Sequence, residues 1–333
     1  MTLGLGIDTS FDDTAVALVE DGNRILANLT VSQFAEHENF GGVIPERASR
    51  LHVQHLFPLL ERALARAERR LEDLDYVAVT NRPGLIGSLL VGVSAGKALA
   101  MARGLPLVGV NHLEAHVYAV QMEHEDLVFP FVSLLVSGAN TVIYHHRDHG
   151  DYRVLGGTLD DAVGECLDKS GRFIGLPLPA GPHLQKLALA GDAARCPMPR
   201  PMLNRPGYDF SFSGLKTAVV NTVRANPDLR PEDLAAGLLE AASDVLARKT
   251  FRAARDVGVK QVALCGGVAA NLQLREAFAR RAEKTGITFR HPSIPLCTDN
   301  AAMVAGLGYE HFRRGELADL DLAVAATVSW KRD

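Results

Sequence analysis

The chain has 333 residues, of which 47% are apolar and 22% charged, with 30 glycines spread along its length. That profile fits two globular α/β domains rather than a disordered or fibrous chain or a membrane span. A formal net charge of −4 excludes a globally basic nucleic-acid surface, so any such face has to be local.

The start, MTLGLGIDTS, has no basic n-region and reaches Asp8 after too short an apolar run for a signal peptide, so a cytoplasmic protein is expected. Leu3 to Ile7 and Thr14 to Val19 read as strands joined by the polar loop Asp8 to Asp13. Then come a helix over His52 to Leu71, a strand over Tyr76 to Thr80, a helix over Ser88 to Arg103 and a strand over Leu107 to Val110. The opening pattern returns at Phe131 to Val136, a turn at Ser137 to Asn140, a strand from Thr141 to Tyr144 and a polar tip at Arg147 to Asp151.

The segment from Cys196 to Ser213 carries Pro197, Pro199, Pro201 and Pro206, which predicts an ordered loop. A long helix follows from Pro231, with Gly258 past its end, then a strand at Gln261 to Leu264, a helix at Leu272 to Thr285 and a strand at Ile287 to Arg290. Alternating strands and helices predict largely parallel sheets covered on both faces. The repeated opening hairpin suggests a duplicated plan. Such halves resemble the actin, Hsp70 and sugar-kinase superfamily, in which a nucleotide binds between the lobes. The expected lobes are residues 1–110 plus a C-terminal helix at about 300–330, and residues 111–299.

Cys166, Cys196, Cys265 and Cys297 lie far apart with no C-x-x-C pair, which excludes a zinc knuckle or compact disulfide scaffold and leaves reduced packing residues. In VNHLEAH, His112 and His116 are four apart, so a helix beginning there puts both imidazoles on one face. Two ordinary histidines at a helix start fit the same letters. Glu114 is displaced from the position a zinc-protease base would take, so that mechanism is not supported. Asp299 in CTDNAAM is the choice for a third ligand, with helix capping as its competing role. Two imidazoles and a carboxylate suit Fe(II) and are compatible with Zn(II).

Glycine-containing turns at Ser137-Gly138, Gly164, Gly181 and Gly266-Gly267 favour a nucleotide cleft when taken together, although each alone is more often a plain turn. In FSFSGLKTAV, Ser211, Ser213 and Lys216 could meet a phosphate or cap a helix. Arg62, Arg66, Arg69 and Arg70 form one basic cluster, and Arg275, Arg280, Arg281 and Lys284 a second. A solvated helix face is the favoured reading of both.

The segments GIDTSFDDTAVAL, GGVIPERASRLH, PGLIGSLLVG, VNHLEAH, LLVSG, DDAVGE with the following LDK, FSFSGLKTAV, GGVAAN and CTDNAAM occur in one order across the chain. Together they resemble the tRNA N6-adenosine threonylcarbamoyltransferase family, the TsaD family of bacteria. The resemblance implies transfer of threonylcarbamoyl from threonylcarbamoyl-AMP to N6 of the adenosine at position 37 of tRNAs reading ANN codons. It implies a metal, usually iron, on His112, His116 and Asp299, and substrate contacts from Leu135, Val136, Ser137, Gly138, Ala139, Asp168, Gly181 and Asn271. Asp8, Ser10, Gly266, Gly267 and Lys216 are further candidates, and no side chain is assigned a catalytic role of its own. Implied partners are tRNA, a TsaB-type paralogue and a TsaE-type ATPase, with no membrane.

Several positions depart from the family pattern. Ala139 and Asn140 stand where S-G-G-H-T is usual, placing a Cβ where a left-handed backbone would call for glycine. Ala180 replaces a glycine of Y-P-G-G-P, Phe11 replaces a cysteine, and Arg82 replaces the first glycine of G-P-G-L. A catalytically impaired actin-like scaffold of the same complex, and an ATP-dependent small-molecule kinase or ATPase, are the alternative readings.

Overall fold

A computed structural model describes residues 1–37, 40 and 42–328. Gly41 of the GGVIPERASRLH segment, and residues 329–330 of the expected C-terminal helix, lie outside them. The chain forms two compact units, one comprising Met1–Glu125 with residues 298–328 and the other Asp126–Cys297. Residues 111–125 and 298–299, assigned by the sequence reading to the second lobe, therefore belong to the first unit.

In the first unit the elements run β1 (Leu3–Asp8), β2 (Asp13–Glu20), β3 (Arg24–Ser32), α1 (Phe34–His37), α2 (Pro45–Ala67), β4 (Tyr76–Arg82), α3 (Ile86–Arg103), β5 (Leu107–Asn111) and α4 (His112–Glu123). The second unit contains β6 (Phe131–Val136), β7 (Thr141–Asp148), β8 (Asp151–Gly157), α5 (Val163–Phe173), α6 (Ala180–Ala188), α7 (Ser213–Ala225) and α8 (Pro231–Asp256). It continues through β9 (Gln261–Cys265), α9 (Leu272–Thr285), β10 (Thr288–Arg290) and α10 (Ile294–Cys297). The chain then returns to the first unit as α11 (Ala302–Arg313).

The two sheets share one topology. Their strand orders are β3-β2-β1-β4-β5 and β8-β7-β6-β9-β10. In each, the first two pairings are antiparallel and the last two parallel. The duplication expected from the hairpins is thus a whole-sheet repeat. The sheets are mixed rather than largely parallel, because each half carries a third antiparallel strand, β3 or β8. The amino acids of both alternate polar and apolar on partly exposed edges, a weaker signal than the buried central runs. β1 and β6 are buried along their full length, as central strands covered on both faces must be.

Helix boundaries moved where side chains rather than apolar period set them. α2 begins at Pro45, a proline at its first turn, and not at His52. α11 ends at Arg313, well short of the expected limit near 330. α5 and α6 fill a stretch that sequence periodicity left unassigned. Residues 196–212 contain neither a named helix nor a named strand, as the prolines require, and α7 starts at Ser213. By length and composition α3 could cross a membrane, but it packs against β4 and α2 within the first unit. The four cysteines are buried thiols, none of them in a disulfide.

Candidate functional site

In the first unit, β5 runs directly into α4, and the Asn111 side chain accepts the Leu113 N–H to cap the helix. That cap starts the helix at His112, so His112 and His116 share a face with ring centroids 4.7 Å apart. Both are buried. Asp299, 183 residues from His116 in the chain, is brought to the same place: its Oδ1 lies 3.1 Å from His116 Nε2 and 3.5 Å from His112 Nε2. Asn300, not Asp299, takes the capping role, its Oδ1 accepting the Met303 N–H at 3.0 Å. The Asp299 carboxylate is therefore free to face the imidazoles. One donor atom from each of the three residues lies within 4.8 Å of the others, a group that could hold a metal ion. Glu114 takes no part in it.

Behind this group stands Asp8, at the end of β1. Its Oδ2 is 3.1 Å from His112 Nδ1, and its Oδ1 accepts the Ser10 N–H at 2.9 Å. Ser10 Oγ is 3.2 Å from the same His112 nitrogen. A carboxylate that accepts the hydrogen bond from Nδ1–H fixes the ring so that Nε2 faces Asp299. Burial disfavours charge on His112, but the carboxylates of Asp299 and Asp8 outweigh it and raise its pKa to about 10. Burial also opposes charge on Asp299, yet His112 and His116 hold its carboxyl well below the usual range.

The loop between β1 and β2 is pinned on three sides, which fixes Asp8 and Ser10. Leu85 N–H donates to Ser10 O at 2.8 Å, and Gln33 N–H donates to Asp12 O at 3.0 Å. The buried His52 ring bridges Phe11 O at 2.8 Å and Thr14 Oγ1 at 2.7 Å. Burial lowers the His52 pKa, so a neutral ring donates from Nε2 to Phe11 and accepts at Nδ1 from Thr14. Phe11 meets the His112 ring edge-on at 5.7 Å between centroids. The sequence reading missed His52 and Gln33; their one signal was polar letters on the inward face of an apolar pattern. It also missed Asp13. Burial pushes the Asp13 carboxyl up to about 7, against a hydrogen bond from Ser32, with Asp299, Asp12 and Asp8 adding to the rise.

In the second unit, Leu135 to Ala139 and Gly266, Gly267 and Asn271 lie at or just past the carboxyl ends of the adjacent parallel strands β6 and β9, where α/β sheets bind ligands, and Asp168 and Gly181 lie on α5 and α6. Leu135 and Val136 are wholly buried, so their side chains are core, and Ser137, Gly138 and Ala139 form the accessible part of the turn. Ser137 Oγ accepts the Asn140 N–H at 3.0 Å and the Ala139 N–H at 3.3 Å. Ala139 is not left-handed; among the described non-glycine residues only Asp21, Glu68 and Met202 have positive φ. The expected strain at Ala139 is therefore absent.

Gly164 lies in the first turn of α5 rather than in a loop, and a Cβ there would come within 2.4 Å of Ser137 O. Gly266 has φ 90° and ψ 168°, and a Cβ on it would lie 2.4 Å from Val136 O. These two glycines let α5 and the segment after β9 close on the end of β6. Cβ atoms on Gly138, Gly181 or Gly267 would meet nothing within 4 Å. Gly181 follows Ala180, whose N–H donates to Asp168 Oδ1 at 2.7 Å, so Asp168 anchors the start of α6. Ala180 is fully buried against Gly171 and fits without displacing its neighbours. Asn271 Oδ1 accepts the Leu274 N–H and caps α9.

Lys216 does not present a free ammonium, because it lies 2.8 Å from Asp161 Oδ2. Ser211 and Ser213 hydroxyls donate to Asp160 Oδ2 at 2.6 and 2.7 Å, and the Phe212 N–H donates to its Oδ1 at 2.8 Å. DDAVGE and FSFSGLK are thus one clamp. Burial opposes ionisation of Asp160, but hydrogen bonds from Ser211 and Ser213 outweigh it and hold the carboxyl below its ordinary range. A depressed folded-state pKa gives stability that is present above the unfolded value of 3.8 and lost as pH falls through the folded value. Asp160→Asn is therefore expected to be less stable than the parent at pH 7. In denaturant titrations across acidic pH the gap should close below about pH 4; a constant gap would show that ionisation is not the source.

Two five-stranded mixed sheets of one topology, each covered by helices, give the chain the α/β fold of the actin, Hsp70 and sugar-kinase class. Among solved structures, HypF of T. kodakarensis is similar at TM-score 0.66 and 16% identity, over 97% of this chain and 49% of that one. Component A of the Acidaminococcus fermentans (R)-2-hydroxyglutaryl-CoA dehydratase is similar at TM-score 0.56 and 17% identity, over 93% and 98%. These likenesses concern fold alone.

The profile of "TsaD: tRNA N6-adenosine threonylcarbamoyltransferase" matches residues 24–306. Proteins of that name from Bacillus licheniformis and Bacillus subtilis are each 48% identical, over 96% and 93% of this chain and 94% and 91% of their own lengths. One from Thermotoga neapolitana is 47% identical over 93% of this chain and 94% of its own. The chain belongs to the TsaD family of tRNA N6-adenosine threonylcarbamoyltransferases, and is a transferase of that kind.

Proposed function

We propose that the chain transfers threonylcarbamoyl from threonylcarbamoyl-AMP to N6 of adenosine 37 in tRNAs reading ANN codons, with a divalent metal, Fe(II) ahead of Zn(II), on His112, His116 and Asp299. The observation that carries the metal assignment is the convergence of both Nε2 atoms on Asp299 Oδ1, with Asp8 fixing the His112 ring from behind. The donor set fits: two imidazole nitrogens and one carboxylate leave coordination sites for a substrate. The metal would act as a Lewis acid toward a carbonyl or phosphoryl oxygen of the donor.

The remaining chemistry belongs to the chain and its substrates. N6 of adenosine is a weak nucleophile because its lone pair is delocalised into the ring, so orientation has to supply much of the rate. The new N–C bond forms at the carbamoyl carbonyl, the bond from that carbon to the phosphate oxygen breaks, AMP leaves with the electron pair, and N6 loses one proton. The Ser137–Ala139 turn, Asp168, Gly181, Gly266, Gly267 and Asn271 are proposed to hold the adenylate of the donor. Leu135 and Val136 contribute through backbone placement, since their side chains are buried. Lys216 supports this region through Asp161 rather than as a lone phosphate ligand. A TsaB-type paralogue and a TsaE-type ATPase are the proposed protein partners, and the cytoplasm the proposed location.

The test is a mass-spectrometric assay with tRNA, threonine, bicarbonate, ATP, the threonylcarbamoyl-AMP synthase and the partner proteins. Threonylcarbamoyladenosine is expected in the tRNA, and it should disappear with His112→Ala while tRNA binding stays within about twofold, since the proposed metal acts on the donor. ADP accumulation without modified adenosine would instead indicate a kinase or ATPase, and neither product would indicate a scaffold.

A further inference from the structure

We infer that a basic trough along α8 and α9 of the second unit binds the phosphodiester backbone of tRNA, an inference that rests on the tRNA-modifying function proposed above. Two cavities, of about 400 and 240 Å³, lie against these helices and share Arg248 and Arg281 in their walls. The smaller is lined by five basic residues, Arg248, Lys249, Arg252, Arg255 and Arg281, and by no acidic one. The larger adds Arg200, Arg280 and Lys284, with Glu240, Asp244 and Glu276 as its acidic residues. This concentration sits in a chain whose formal net charge is −4.

The acidic residues of the trough are engaged with arginines: Arg200 with Glu240 at 2.9 Å and Asp244 at 3.0 Å, and Arg280 with Glu276 at 3.7 Å. Arg281 and Lys284, in the last turns of α9, have no carboxylate within ion-pair distance among the described residues. Lys249 is fully buried, its ammonium donating to the Asp209 carbonyl and lying 5.7 Å from the Phe210 ring centre. Burial, and then the Arg252 charge, lower its pKa to about 8, with Asp209 opposing the shift. Basic residues at helix C-termini are favourable on their own account, because they face the negative end of the helix dipole. Arg248 and Arg255 are paired with Asp244 at 3.4 Å and Asp256 at 3.0 Å, and Arg252 donates to the Arg205 carbonyl at 3.2 Å, so Arg281 and Lys284 are the cations left to meet a polyanion. The Arg62 to Arg70 cluster differs: it lines neither cavity, and Arg69 faces Glu20 at 3.9 Å.

The phosphate could instead belong to a free nucleotide, so the experiment separates the two sources. Filter binding of unmodified tRNA to the full chain is measured over a KCl series for the parent, Arg281→Glu/Lys284→Glu and Arg69→Glu/Arg70→Glu, with ATP binding measured in parallel. The trough variant should bind tRNA at least about tenfold more weakly near 0.1 M salt, with a log-log salt slope shallower by roughly 1.5, two contacts at 0.7–0.9 each. The Arg69/Arg70 variant should stay within about twofold, and ATP affinity should be unchanged in both. Unchanged tRNA affinity and slope in the trough variant, with an unaltered melting temperature, overturns the inference, as does loss of ATP affinity with tRNA binding retained. If the parent modifies tRNA and the trough variant does so with the same KM for tRNA, the trough fails and the function stands; if the parent modifies no tRNA, it is the functional reading that fails.

Discussion

Asp299→Ala and His116→Ala are each expected to lose bound divalent metal and, with it, threonylcarbamoyl transfer. The two Nε2 atoms and Asp299 Oδ1 form a three-donor group, and removing one leaves two, too few to hold Fe(II) or Zn(II) against water in a shared site. A Lewis acid supplies several kcal/mol of charge stabilisation, so transfer should fall on the order of 10²- to 10⁴-fold. Asp8→Asn should show a graded effect. It leaves all three donors but removes the carboxylate on His112 Nδ1, and a loss of roughly 10- to 100-fold in metal affinity is expected. Elemental analysis and metal titration of the purified variants check this without relying on turnover. Unchanged metal content in both ligand variants would remove the site.

The second large effect concerns the end of β6. Gly266→Ala is expected to destabilise the second unit by about 3–5 kcal/mol, combining a backbone conformation open to glycine alone with an overpacked contact. The added methyl would sit 2.4 Å from Val136 O, so either the β6–β9 pairing opens or the segment leading to Asn271 moves. Both outcomes displace residues proposed to hold the adenylate. Gly267→Ala is the control, because a Cβ there meets nothing within 4 Å and the backbone is not left-handed; a loss under about 1 kcal/mol is expected. Denaturant unfolding of the two variants gives the comparison, and equal losses would show that the contact with Val136 does not matter.

Local sequence determined a good deal about this protein. The apolar runs that became β1, β2, β6 and β7 carry their own strand signal, and the hairpins they form revealed the duplication. The spacing of His112 and His116 put two imidazoles on one helix face through the 3.6-residue period alone, with Asn111 available to start the helix. The ordered family motifs across the chain carried the functional class. Edge strands β3 and β8 were illegible because half of each faces solvent, which dilutes the apolar pattern.

Tertiary structure alone decided which groups meet. Asp299 and Asn300 are both plausible caps from their letters; packing assigned the cap to Asn300 and turned Asp299 toward histidines 183 and 187 residues away in sequence. Asp8 became the partner of His112 because β1 and β5, separated by β4, end near one another in a single sheet. Lys216 and Ser213 found Asp161 and Asp160 across more than fifty residues, which turned two motifs that suggested phosphate contacts into one internal clamp. Helical and strand periods are set by neighbours a few residues apart and can be read in order. Electrostatic and hydrogen-bond partners are chosen by distance in space, and chain separation does not encode that distance until the sheets have formed.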